Sequence, residues 1–143
     1  MRILIAVILA TLLVSCGEPL SMFPGGQLSG QVQAAPPTWV DVPETIQVET
    51  RLSDPYSINI WGVGIGQHLY IATSASGTTW SDFINTDSNI RARIGSSLHE
   101  LNATSITDSA ERSSVVAAYA SKYELDGDDN WVEAGLIFRL DRR

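Results

Sequence analysis

The chain has one cysteine, Cys16, two histidines, and a longest apolar run, Ile3 to Val14, well short of the roughly 20 residues a membrane-spanning helix needs. A single thiol excludes an intrachain disulfide and a thiolate metal cluster. Basic residues are scarce as well: 9 Lys and Arg face 16 Asp and Glu, a formal charge of −7, so the chain gains no electrostatic help from nucleic acid or anionic lipid. There is no G-x-G-x-x-G ahead of a helix and no G-x-S-x-G elbow, which removes the dinucleotide fingerprint and the usual serine nucleophile. His68 in an expected hairpin turn and His99 at the start of an expected strand read as separate, solvated side chains. Asp126, Asp128 and Asn130 alternate as calcium-loop ligands do, but Trp131 stands where that loop needs glycine and Ile137 where it needs glutamate. A solvated acidic turn is the expectation.

The first sixteen residues carry the clearest signal. Arg2 precedes the apolar run, and Leu13-Val14-Ser15-Cys16 follows the pattern of a bacterial lipobox. That pattern implies a signal peptide over 1–15, acylation of the Cys16 sulfur and of the new amino terminus, and a lipoprotein facing the periplasm or the cell exterior. Gly17, where an aspartate would mark inner-membrane retention, points to the outer membrane. Removing Arg2 takes the formal charge to −8, and lipid on Cys16 leaves no free thiol.

Composition then divides the mature chain. Residues 16–37 are rich in Gly, Pro, Ser, Gln and Ala, with one charge, and read as a lipidated flexible tether reaching about 25 Å. Residues 38–143 read as one domain of short strands. Ile46, Val48 and Thr50 alternate with polar partners over 45–51; 56–65 and 69–74 form a hairpin; 89–94 and 98–106 are strands. Trp80, Phe83 and Ile84 mark a short helix capped by threonine. Asp108 and Glu111 form a capping box for a helix over 109–123, with Val115, Val116, Tyr119 and Tyr123 on its apolar face and Lys122 at the edge of that face. The last strand is expected from Trp131 to Leu140. The order β-β-β-α-β-β-α-β has too few helical crossovers for a parallel sheet. It predicts a mainly β fold with two short helices, a six-stranded, mostly antiparallel split β-barrel whose closure removes exposed edges. Gly62, Gly64 and Gly66 would leave one strand face bare, to be covered by an aromatic such as Trp61 or Trp80.

The stretches Ile58-Asn59-Ile60-Trp61, Leu69-Tyr70-Ile71, Ser76-Gly77, Trp80, Ala118-Tyr119 and Lys122-Tyr123 resemble a small family related to the flavin-binding split barrels of pyridoxamine phosphate oxidase and the deazaflavin-dependent reductases. The resemblance implies a homodimer with flavin mononucleotide or a deazaflavin at its interface. Arg51 would then supply a cation, and Ser74, Ser76, Thr78, Thr79 and Trp80 the loop around the phosphate. Hydroxyls, guanidinium forks and free helix N–H groups are what a dianion needs. Two departures remove cations: Gly64 and Ala72 stand where the related strands carry arginine. These losses, and export away from cytoplasmic flavin, favour a membrane-anchored binding or accessory module. Such a module could serve as a subunit or assembly factor of a membrane complex. A flavin-dependent oxidoreductase is the alternative.

Overall fold

The computed structural model describes residues 18–143; the expected signal segment and Cys16 lie outside the described residues. Among the described residues seven strands and two α-helices follow one another as β1 (Gln31–Val32), β2 (Thr45–Thr50), β3 (Tyr56–Ile65), β4 (His68–Thr73), α1 (Thr79–Thr86), β5 (Asn89–Ile94), β6 (Ser97–Ser105), α2 (Ser109–Tyr123) and β7 (Leu136–Arg142), with a single 3-10 turn at Gly127–Asp129 before β7. Strands β2, β3, β4, β7, β6 and β5 pair antiparallel in that order, and β5 returns to β2. This is the closed six-stranded barrel that the alternating pattern predicts.

Alternation decides which side each residue serves. On β4 and β7, Leu69, Ile71, Phe138 and Leu140 join the barrel interior with Ile46, Val48, Ile90 and Leu101. Their neighbours Tyr70, Ala72 and Ile137 point the other way and pack with Val115 and Tyr119 of α2. Asp108 caps α2 by accepting from Glu111 N at 2.9 Å. Glu111 does not return the bond, because its carboxylate is taken by Tyr70 Oη and Arg139 Nη1, both at 2.8 Å.

The expected tether is, from Glu18 onward, laid on the barrel. Strand β7 pairs with β6 only over Leu101–Ser105, which leaves the start of β6 open along one edge. Strand β1 pairs there in parallel, with Gln31 beside Ser97 and Val32 beside Leu98. An unpaired strand edge favours such coverage. Leu28 is buried, and its N–H donates to Glu49 Oε2 at 2.6 Å. Glu49 is itself fully buried on β2 and accepts from Arg91 Nε at 3.0 Å and Nη2 at 2.6 Å. Further back, Glu18 is gripped by the Arg93 guanidinium and by Ser29 Oγ at 2.7 Å.

The hydrogen bond from Arg93 holds the Glu18 carboxyl below its ordinary value of 4.5. A carboxyl depressed on folding contributes stability that is present above the ordinary value and is lost as pH falls through the folded one. Acidification from about pH 4.5 downward is therefore expected to free residues 18–33 before the barrel opens. Amide signals of Gly25, Leu28 and Ser29 followed by NMR should report that release. Signals as steady in wild type as in Arg93→Ala down to the unfolding transition would refute it.

Two other expectations change. Trp131–Gly135 is a run of turns, with Glu133 N bonded to Asn130 O and Gly135 N to Val132 O, so the last strand starts only at Leu136. The chain needs those residues to cross from α2, where Asn130 Nδ2 holds Val116 O at 3.2 Å, to the edge of β4. His99 is buried rather than solvated: its Nδ1 lies 3.2 Å from Gln33 O, and its ring meets Trp39 edge-on at 5.2 Å.

Candidate functional site

The residues predicted to hold a phosphate surround α1. Arg51 follows β2 in the left-handed region, φ 51°. Its Nε donates to Asp54 O at 2.7 Å, its Nη2 lies 3.1 Å from Asp54 Oδ2, and its guanidinium covers the Phe83 ring at 4.1 Å. Ser74 and Ser76 face each other at 3.1 Å, and Gly77 N donates to Ser74 O. Thr78 is the N-cap of α1, and its N–H donates to Ser81 Oγ at 2.8 Å. Thr79 is exposed at the first helical position, and Trp80 is buried, edge-on to Phe138 at 5.8 Å. The structure thus gathers these residues at one helix but engages most of their polar groups locally. The one guanidinium is paired with an acid, and Asp82 adds negative charge to the first helical turn.

The two positions that lack arginine are filled by other means. A side chain at Gly64 would meet the backbone of Trp39, with a Cβ only 2.0 Å from Trp39 O. Trp39 thus covers the strand at Gly64, Ile46 covers it at Gly62, and among the described residues nothing lies within 4 Å of a Cβ at Gly66, so neither Trp61 nor Trp80 is the expected cover. Ala72 is buried on the floor of a cleft. A flavin phosphate needs forked cations and free donors, and the residues present do not fit one.

That cleft is the better site. It holds about 490 Å³ and is lined by Thr45, Asn59, Ile60, Trp61, Ala72 and Trp131, with Ser21 and Met22 at its side. The volume suits a small organic ligand. Trp61 stacks on Tyr123 with centroids 4.2 Å apart and planes 4° from parallel, while Trp131 meets Tyr119 edge-on at 6.0 Å. Tyr119 Oη donates to Trp61 O at 3.0 Å, and Tyr123 Oη lies 2.7 Å from Glu44 O and 2.9 Å from Gly62 O. Burial pushes both phenols above their ordinary range, so they stay neutral at physiological pH. Lys122 Nζ donates to the carbonyls of Val42, Pro43 and Gly62 at 2.8, 2.8 and 2.6 Å, which ties the segment after Trp39 to β3. The aromatic wall is therefore preformed, and no lining residue is ionisable.

Sequence reasoning missed Trp131 and Met22 as lining residues and placed Trp61 in a strand motif and as a cover for the glycine face, not in a cleft. Trp131 was assigned to a strand, and nothing local says that three exposed apolar side chains share one cleft. A web of polar groups also lies outside the barrel, where Arg139 bridges Glu111 and Asp141, and His68 Nδ1 approaches Asp141 at 3.3 Å. Burial would raise the Glu111 carboxyl, but the bonds from Arg139 and Tyr70 outweigh it and hold it below the ordinary range. This web fastens α2 to β4 and β7.

Comparison with solved structures completes the picture. The haem storage protein HutZ from Vibrio cholerae superposes with a TM-score of 0.57 at 11% identity, over 70% of this chain and 82% of that one. A candidate pyridoxamine 5'-phosphate oxidase from Listeria innocua gives 0.55 at 9% identity, over 68% and 82%. This is the split-barrel fold. An FAD-binding protein from Mesorhizobium loti gives 0.51 at 10% identity, over 71% and 82%. No family model and no curated protein matches the sequence. The split barrel of this chain thus shares its backbone with proteins named for flavin and haem, at identities that speak for the fold alone.

Proposed function

We propose that the chain is a lipid-anchored binding or accessory module whose Trp61–Trp131 cleft takes a flat, uncharged or apolar ligand. The observation that carries this reading is a preformed aromatic cleft lined by no ionisable group, in a barrel where the cation expected at a phosphate, Arg51, is paired with Asp54 past the opposite end of β2 from the cleft. Without an acid, base or cation at the ligand there is nothing to move a proton or hold a phosphate. The ring-shaped cofactors named for split barrels of the same fold support a planar ligand. The lipobox supports a location on the periplasmic or outer face of a bacterial membrane, and among the described residues no helix is long and apolar enough to cross one.

Riboflavin and flavin mononucleotide differ only by the phosphate, which makes them a direct test. With the unlipidated chain from residue 17, flavin mononucleotide is expected to quench tryptophan emission no more tightly than riboflavin. A working phosphate clamp of two or three charged hydrogen bonds would favour the phosphorylated form by about 100-fold or more. Such a preference, or flavin absorbance surviving desalting, would overturn the reading in favour of a flavin oxidoreductase.

A further inference from the structure

The loop from Glu18 to Gly25 carries three large apolar side chains in water: Leu20 is 66% exposed, Met22 93% and Phe23 75%. Single exposed apolar residues need no explanation. Three on one turn do. The turn is pinned, not loose. Leu20 and Phe23 exchange backbone hydrogen bonds at 2.8 and 3.1 Å, and Asn59 Nδ2 reaches out from β3 to Pro19 O and Ser21 O at 3.2 and 3.0 Å. Gly25 exchanges two bonds of 2.9 Å with Ser57, and Glu18 is clamped by Arg93. Gly25 also packs so closely on the start of the loop that a Cβ there would lie 2.6 Å from Pro19 N. The barrel therefore grips the backbone and holds the apolar side chains outward.

Three further observations say what covers them. Met22 borders the cleft of Trp61 and Trp131, and tryptophan is the residue that settles at membrane interfaces. Cys16 precedes Leu20 by four residues, at most about 14 Å of extended chain, so a lipid on Cys16 keeps this loop at the bilayer surface. The loop's single charge, on Glu18, is already neutralised by Arg93, which removes the cost of bringing it to an uncharged lipid surface.

We propose that Leu20, Met22 and Phe23 insert into the interfacial layer of the bilayer that holds the Cys16 lipid, and that the Trp61–Trp131 cleft opens at that layer. This rests on the lipid-anchored reading above. It narrows the ligand class to apolar molecules that reach the cleft from the membrane.

The test uses the mature lipidated protein in phosphatidylcholine vesicles. Acylated Cys16 offers no thiol, so Met22→Cys carries a unique site for a fluorophore. Gln67→Cys serves as the control: Gln67 is exposed in the β3–β4 turn, six residues along the strand from Trp61 and so about 20 Å away. Nitroxide-bearing lipids are expected to quench the label at 22 at least threefold more than the label at 67, and aqueous iodide to do the reverse. Equal quenching at the two positions overturns insertion. So does concentration-dependent shielding of position 22 in the unlipidated chain without vesicles, which would show a second copy on the loop. Mass measurement of the mature amino terminus separates the two readings: acylated protein without quenching at 22 sinks insertion alone, whereas an unmodified Cys16 sinks the anchor and insertion together.

Discussion

Arg91→Ala is expected to lower the unfolding free energy by about 3–5 kcal/mol, because it strands the Glu49 carboxylate inside the protein. Glu49 has no exposed surface, and Arg91 donates to it through Nε and Nη2, with Leu28 N donating as well. In a domain of this size such a loss corresponds to a fall in Tm of roughly 10–20 °C. The pair joins β2, β5 and the N-terminal strap, so the variant should also loosen β1. Urea unfolding of wild type and Arg91→Ala measures the effect. A cost below about 1 kcal/mol, the range of exposed ion pairs, would show that the Glu49 carboxylate does not depend on Arg91 for its burial.

Gly64→Val is expected to cost about 3 kcal/mol or more, by a different route. A Cβ at 64 would stand 2.0 Å from Trp39 O and 2.7 Å from Trp39 Cβ, and backbone cannot yield as a flexible side chain can. Trp39 is 5% exposed and belongs to the barrel interior, so displacing it adds lost burial to overpacking. The bond from Trp39 N to Gly66 O and the contact with His99 would go with it. Among the described residues Trp39 Nε1 is buried with no hydrogen-bond partner, which gives its indole proton a distinct NMR position to follow. Gly66→Ala is the comparison: nothing lies within 4 Å of its added Cβ, and only the φ of +58° opposes it, for about 1–2 kcal/mol. An indole signal unmoved in Gly64→Val would mean that Trp39 does not depend on the glycine. The same geometry bears on cofactor binding, since no arginine can occupy position 64 while Trp39 keeps its place.

Much of the barrel was legible because strand periodicity is local. The alternation of Ile46 and Val48, or of Leu69 and Ile71 with Tyr70 and Ala72, assigns inner and outer faces before any partner strand is known. Asp108 marks the start of α2 for the same reason, since a cap acts within one turn. Strand β1 was not legible: two residues have no measurable period, and the segment's Gly, Pro and Ser content is that of a linker. What holds it is a sheet edge and a buried carboxylate contributed by distant parts of the chain. The candidate phosphate residues show the same limit. Sequence could name Arg51 and the hydroxyl-bearing loop, but not that Asp54 and Phe83 already occupy the guanidinium.

By itself the sequence determined the succession of the six barrel strands and both helices, the faces of most strands, and the absence of cysteine from the barrel. These follow from spacing and composition over a few residues. Only the tertiary structure decided that Trp39 fills the space at Gly64, that Trp61 and Trp131 share a cleft with Met22, and that the loop bearing Leu20, Met22 and Phe23 is pinned outward by Asn59 and Arg93. Each of those contacts joins residues far apart in the chain, and closure of the sheet into a barrel is what sets the distances between them.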